Sequence, residues 1–219
     1  MEVINGVFTE AKVPATAQML SPDWFAQPDV VALARALVGK LLYTHFPPGP
    51  VLGRIVETEA YAGVQDRASH AFGGRRTART EVFYQAGGVA YVYLCYGIHQ
   101  MFNIITGPQD WPLAVLIRGV EPLAGIEIMR ERMRHSEIPV AQLGRGPGNV
   151  GKAFGFHRSQ TGLSLAGPEI SVWEDGGWPA QCKASPRIGV DYAGEDAQLP
   201  YRFYLPGHPS VSGPKALRT

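Results

Sequence analysis

A chain of 219 residues with 45% hydrophobic and 18% charged residues is long enough for one sizeable domain and too apolar for disorder. Its formal net charge of +1 carries no global signal for a nucleic-acid partner. Two cysteines, Cys95 and Cys182, without a Cys-x-x-Cys pair argue against a disulfide framework or structural zinc and suit a reducing cytoplasm, the expected location.

Residues 1–17 read as an irregular arm, and 18–219 as one domain. The opening stretch 1–13 has neither a basic segment nor an apolar one, so no signal peptide is expected. No apolar run reaches membrane-spanning length, so no membrane association is expected either. Ser21-Pro22 looks like a helix start, with proline at the first helical position. Leu33, Leu37, Val38 and Leu41 recur at helical spacing, which predicts a helix over 29–42. A proline-rich turn follows at 46–50, then a strand over 51–61. Residues 88–97 and 99–107 read as two strands joined near Tyr96-Gly97, and 113–120 as another. Pro122, Ile126, Met129 and Met133 share one side of a predicted helix over 121–133. A glycine-rich turn leads into a short helical stretch ending near Phe156. Short strands are expected around 170–174, 187–192 and 201–205. The pattern is that of a single mixed α+β domain.

Charge is unevenly distributed. Residues 67–80 carry four arginines and no acid, and residues 130–158 carry six Lys/Arg against two Glu. The first 66 residues carry seven acids against four bases. Such a two-sided pattern fits a basic face that meets phosphate as well as it fits ordinary solvated faces. In the strand 51–61, alternate residues point one way, so Glu57, Glu59 and Tyr61 share a face. A carboxylate beside an aromatic suits a hydrolytic base next to a stacking platform; a salt-bridged strand edge explains the same motif. Tyr91, Tyr93 and Tyr96 are either ordinary strand aromatics or a stacking wall and a wedge for a flipped nucleotide. His70 sits in the arginine-rich loop, where a polar ring could both stack and hydrogen-bond. Residues 146–153 nearly match a nucleotide-binding loop, but Ala153 replaces the hydroxyl that would hold magnesium, so nucleotide hydrolysis is rejected. No histidine cluster suggests a metal, and no cofactor is expected.

Taken in order, these segments resemble the alkyladenine, or 3-methyladenine, DNA glycosylases. The resemblance runs from about Leu20 to Ser212. It rests on RIVETEAY, the D-x-A-S-H-A-x-x-G-x-R-T-x-R stretch, YVYLCYG with Asn103 downstream, V-L-I-R-G-V-E-P-L-x-G, G-R-G-P-G and the terminal RFYLPGHPSVS. It implies a compact α+β domain around a curved, mainly antiparallel sheet flanked by helices, with a protruding β-hairpin that inserts into DNA. It also implies residue roles. Glu59 would be the general base that activates water, and Arg118 would place that carboxylate and water. Tyr61, His70 and Tyr93 would be the walls around the extruded base. Asn103 would disfavour the exocyclic amine of guanine, and Tyr96 would fill the vacated space in the duplex. Arg75, Thr77 and Arg79 would lie near DNA phosphates or the pocket rim. Many relatives carry a basic residue where this chain has Asn149.

The implied partner is double-stranded DNA containing damaged purines, acted on by a monomer that is nucleoid-associated if the source is bacterial. No lysine falls at a matching catalytic position, so neither a Schiff base nor strand cleavage is expected. Two other readings remain: a non-catalytic nucleic-acid binding module, and a carbohydrate hydrolase using Glu57 and Glu59 in a Trp-lined acidic cleft.

Overall fold

In the computed structural model the described residues are Val3–Ile4, Val7–Phe8, 11–176 and 181–218. They form, in chain order, strands β1 (Val3–Ile4), β2 (Val7–Phe8) and β3 (Gln18–Met19), and helices α1 (Pro22–Phe25) and α2 (Val30–Leu37). Strands β4 (Leu41–Phe46) and β5 (Gly49–Tyr61) come next, then the hairpin β6 (Val89–Cys95) and β7 (His99–Thr106), and β8 (Leu113–Ala124). Helices α3 (Ile126–Met133), α4 (Val140–Leu143) and α5 (Pro147–Ala153) precede β9 (Ile170–Glu174), β10 (Lys183–Ser185) and β11 (Arg202–Tyr204).

Nine strands make one curled sheet with neighbour order β3-β9-β4-β5-β8-β7-β6; β11 joins β5, and β10 joins β11. Every pairing is antiparallel, which is the α+β architecture expected. Strand β5 is the hub, not an edge. It pairs with β4 through 49–54 and with β11 through 57–59, while β8 runs along its other side.

The two faces of this sheet have different jobs, and alternation assigns them. Ala90 and Val92 of β6, Phe102 and Ile104 of β7, and Val115 and Ile117 of β8 enter the main core. Their neighbours Tyr91, Tyr93, Asn103, Ala114, Leu116 and Arg118 line a cleft on the opposite face. On β5, both Ile55 and Val56 belong to the main core, because the register with β8 slips there. That slip turns Glu57, Glu59 and Tyr61 toward the cleft side. Helix α2 packs beneath, and the Thr58 hydroxyl donates to the Ala34 carbonyl at 2.7 Å. The core side is dense: Phe102 and Phe156 stack 3.9 Å apart at 6°.

Local departures from the expected elements have clear causes. The helix predicted over 29–42 ends at Leu37. Leu41 keeps helical spacing, but Gly39 (φ +96) has already turned the chain, and Leu41 and Leu42 open β4, buried between β5 and β9. The helix predicted over 121–133 begins only at Ile126, since β8 continues to Ala124. Pro122 is tolerated there because it falls at a register shift opposite Gly53, where a missing N–H breaks no ladder. The strand expected over 187–192 is absent: 187–190 is irregular and a 3-10 segment follows over Asp191–Gln198. Proline does open α1 at Pro22, but Ser21 makes no side-chain cap and the helix is four residues long. In the N-terminal arm, β1 pairs with β2, and residues 1–2, 5–6 and 9–10 of that arm lie outside the described residues.

Candidate active site

The cleft occupies about 440 Å³. Of the residues singled out in the sequence, Tyr61, His70, Arg79, Tyr93, Tyr96, Asn103 and Arg118 all line it. Glu59 stands immediately behind this lining with no solvent exposure. Its Oε2 accepts from the Tyr61 hydroxyl at 2.9 Å and from Arg118 Nη1 at 3.3 Å. Its Oε1 accepts from the backbone N–H of Ile188 at 2.8 Å. Burial pushes the Glu59 pKa up, and neighbouring Glu57 adds to this; Arg118, the Ile188 amide and the Tyr61 hydroxyl oppose the rise without cancelling it. The Tyr61 hydroxyl itself is pushed well up by burial and by Glu59, so it stays protonated and donating.

Glu57, two residues earlier on the same face, has a different fate. It accepts from Arg202 Nε at 2.6 Å, Arg118 Nε at 3.2 Å, and the Ser212 amide and hydroxyl at 2.7 and 2.8 Å. Gly119 lies opposite, and a Cβ there would meet the Ser210 carbonyl at 2.9 Å and Glu57 Cβ at 3.0 Å. The knot is closed by protein on every side. Arg118 joins both carboxylates: burial works against its charge, and Glu59 and Glu57 more than offset this.

Opposite the carboxylates are the aromatic walls. His70 meets Tyr93 edge to face at 4.7 Å, and Tyr91 stacks with Tyr93 at 5.5 Å and 27°. Arg79 lies 5.4 Å over the Tyr93 ring. His70 and Tyr93 thus form one wall. Among the described residues Tyr61 makes no ring contact with either, although all three line the same cleft. Burial, followed by Arg79 and Arg75, pushes the His70 pKa down to about 4, so the ring is neutral near pH 7. Asn103 is held rigidly: its Nδ2 donates to the carbonyls of Tyr91 at 3.3 Å and Met101 at 3.2 Å.

Tyr96 caps the β6–β7 hairpin. It is 91% exposed, and its φ of +51 puts a bulky residue in the left-handed region beside Gly97 (φ +73). Such a conformation costs roughly 1–3 kcal/mol, and it is held on a tip with no core to repay it. Arg75 and Thr77 are exposed on the arginine-rich loop outside the cleft lining. Thr77 also has a local duty, since its backbone N–H donates to the Thr80 hydroxyl at 2.9 Å and its own hydroxyl accepts from the Thr80 N–H at 3.3 Å. Arg76 folds the loop back by pairing with Glu81 and Asp110. Asn149 of α5 donates to the Gln142 carbonyl of α4 at 2.9 Å, a contact between the two helices.

Sequence reasoning missed two further buried arginines, Arg202, which holds Glu57, and Arg187. Arg187 pairs with Asp66 through two bonds of 2.6 and 2.9 Å, donates to the Ala60 carbonyl at 2.9 Å, and lies 4.9 Å over the Tyr61 ring. Asp66 in turn accepts from the amides of Ala62 and Ala68. This clamp ties β5, the loop that carries His70, and the segment whose Ile188 amide reaches Glu59. Reading 187–192 as a strand hid it; the Asp that opens D-x-A-S-H was the available signal. Among the described residues no group of three or more His, Cys, Asp or Glu could hold a metal, and no helix is long and apolar enough to cross a membrane.

The sequence is similar to known proteins. Residues 23–209 match the family described as methylpurine-DNA glycosylase. A protein of Chlamydia abortus is 42% identical over 187 residues, covering 85% of this chain and 98% of the relative. One of Bacillus cereus is 44% identical over 204 residues, covering 89% and 99%. Both relatives are named, provisionally, 3-methyladenine DNA glycosylase.

Proposed function

The chain belongs to the methylpurine-DNA glycosylase family, and from that premise we propose that it extrudes alkylated or deaminated purines from duplex DNA and cuts their glycosidic bond with a water activated by Glu59. It is a DNA glycosylase, an N-glycosyl hydrolase of the 3-methyladenine type. The observation that carries the finer reading is Glu59: a fully buried carboxylate of raised pKa, directly behind a cleft walled by aromatics.

Glu59 Oε1 carries a single N–H bond and so keeps a lone pair for a water. As the base departs, positive charge grows on the sugar. Glu59 stabilises that charge and takes the proton of the attacking water. Arg118 favours the ionised form of the carboxylate and aims it. The damaged base lies between Tyr61 and the His70–Tyr93 wall. Cation–π stacking of an alkylated, cationic purine there contributes about 0.5–2 kcal/mol per good contact. Immobile Asn103 rejects by shape a base that carries an extra exocyclic group. No lysine is among the cleft-lining residues described, which supports a hydrolytic route without a Schiff base. The carbohydrate reading loses support, since Trp24, Trp111 and Trp173 are not among the residues lining the cleft, and Trp178 lies outside the described residues.

The test is direct. Duplexes carrying 3-methyladenine or hypoxanthine are incubated with the protein, then treated with alkali. Strand breaks at the lesion that appear only after alkali are expected. Breaks before alkali would contradict a purely hydrolytic enzyme, and no breaks with either lesion would contradict the activity.

A further inference from the structure

The hydroxyl of Tyr91 sits where two partners converge. Arg79 Nε approaches it at 3.3 Å, and His70 Nδ1 at 3.1 Å. Arginine can only donate, so the tyrosine oxygen accepts from Arg79. Tyr91 is 2% exposed, and the one acceptor available to its own proton among the described residues is His70 Nδ1. Were Nδ1 protonated instead, a buried O–H would be left without a partner, which native structures avoid. The neutral ring therefore carries its hydrogen on Nε2. Among the described residues Nε2 has no hydrogen-bond partner, and His70 lines the cleft.

We propose that Tyr91 is a positioning residue: with its hydroxyl oriented by Arg79, it holds His70 as the Nε2–H tautomer, so that the cleft wall offers the extruded base a hydrogen-bond donor. The assignment of the base to this cleft rests on the proposed function. The chemical consequence concerns substrate choice. The purine edge that meets His70 must present an acceptor, a carbonyl oxygen or a bare ring nitrogen, and an edge that presents N–H is disfavoured. The chain Arg79, Tyr91, His70 also connects an exposed arginine of the basic loop to the surface that reads the base. Neutrality of the ring over the physiological range follows from its burial and from Arg79 and Arg75 beside it, which hold its pKa near about 4.

The tautomer can be read on the free, full-length protein labelled with nitrogen-15, using long-range proton–nitrogen spectra of the histidine rings at about pH 7. His70→Gln identifies the relevant signals by their loss. A single Nε2–H tautomer is expected for His70, with Nδ1 bare and displaced by an accepted hydrogen bond. In Tyr91→Phe the Nδ1 signal moves to the position of an unbonded nitrogen, and in Arg79→Gln it moves the same way by less. Single-turnover excision of hypoxanthine by Tyr91→Phe falls roughly tenfold. A protonated Nδ1 in the wild type, or a His70 spectrum unchanged by Tyr91→Phe, overturns the proposal, because a role in packing alone leaves the nitrogen shifts where they are. The spectra need no DNA. A wild type with the expected spectrum that releases no damaged base would therefore count against the proposed function and not against this hydrogen-bond chain.

Discussion

Glu57 and Glu59 stand on one face of one strand, and their surroundings could hardly differ more. Around Glu57 the protein closes completely: two arginines, a serine amide and a serine hydroxyl, with Gly119 clearing the space. Around Glu59 it stops short. One oxygen takes a single amide, the other a phenol and an arginine, and the cleft begins just beyond. A carboxylate whose acceptors are saturated by protein is committed to holding the fold. One that is buried yet incompletely satisfied is kept in a costly state that chemistry can use. Sequence alternation placed the two together; only their partners separate them.

Breaking each in turn separates them further. The largest effect expected is on the rate: Glu59→Gln slows single-turnover excision by roughly 10²–10⁴-fold while binding to lesion DNA persists. Because the folded pKa of Glu59 is raised, stability from this group is present below the pKa of the unfolded glutamate and lost as pH rises through the folded one. Glu59→Gln therefore melts at or above the wild-type temperature near neutral pH, which calorimetry checks. Glu57→Gln shows the reverse. It leaves Arg202 and Arg118 without their shared anion and costs about 3–5 kcal/mol of stability, a fall of about 10 °C in melting temperature. Equal melting of the two variants would erase the distinction drawn between them.

The cleft rim supplies smaller effects. Tyr96→Ser lowers excision from duplex DNA about tenfold and from single strands much less, because extruding a stacked base costs a few kcal/mol that a ring in the gap partly recovers. An equal loss on both substrates would move Tyr96 from the duplex into the pocket. The smallest change belongs to Arg79→Ala, which makes the dependence of log affinity on log salt shallower by about one unit. An unchanged slope would take this arginine off the phosphates.

What could be read from the chain alone followed from periodicity and from the ordered motifs. Alternation on β5 put Glu57, Glu59 and Tyr61 on one face, and the resemblance carried by the ordered motifs added Tyr93 and Arg118; in the structure Tyr61, Tyr93 and Arg118 line one cleft and Glu59 stands just behind them. Tyr96-Gly97 marked the hairpin tip correctly. The misreadings arose where local spacing competes with pairing. Leu41 sits in helical register with Leu37 yet joins a strand, because β5 and β9 bury it from both sides. Residues 121–124 looked helical yet extend β8, because β5 is long enough to pair with them. The contacts of Glu59 with Ile188, and of Arg187 with Asp66, span more than 100 positions, and no local pattern announces them.

The acid limb of the rate tests the central assignment most directly. Single-turnover excision of hypoxanthine from duplex DNA would be followed from about pH 4 to about pH 8 for the wild type and Glu59→Gln, with enzyme in excess. If Glu59 is the base, the wild-type rate falls as pH drops through a midpoint above the usual glutamate range, as its raised pKa requires, and the variant's residual rate lacks that limb. A variant that excises at the wild-type rate, or that keeps the same limb, would contradict the account.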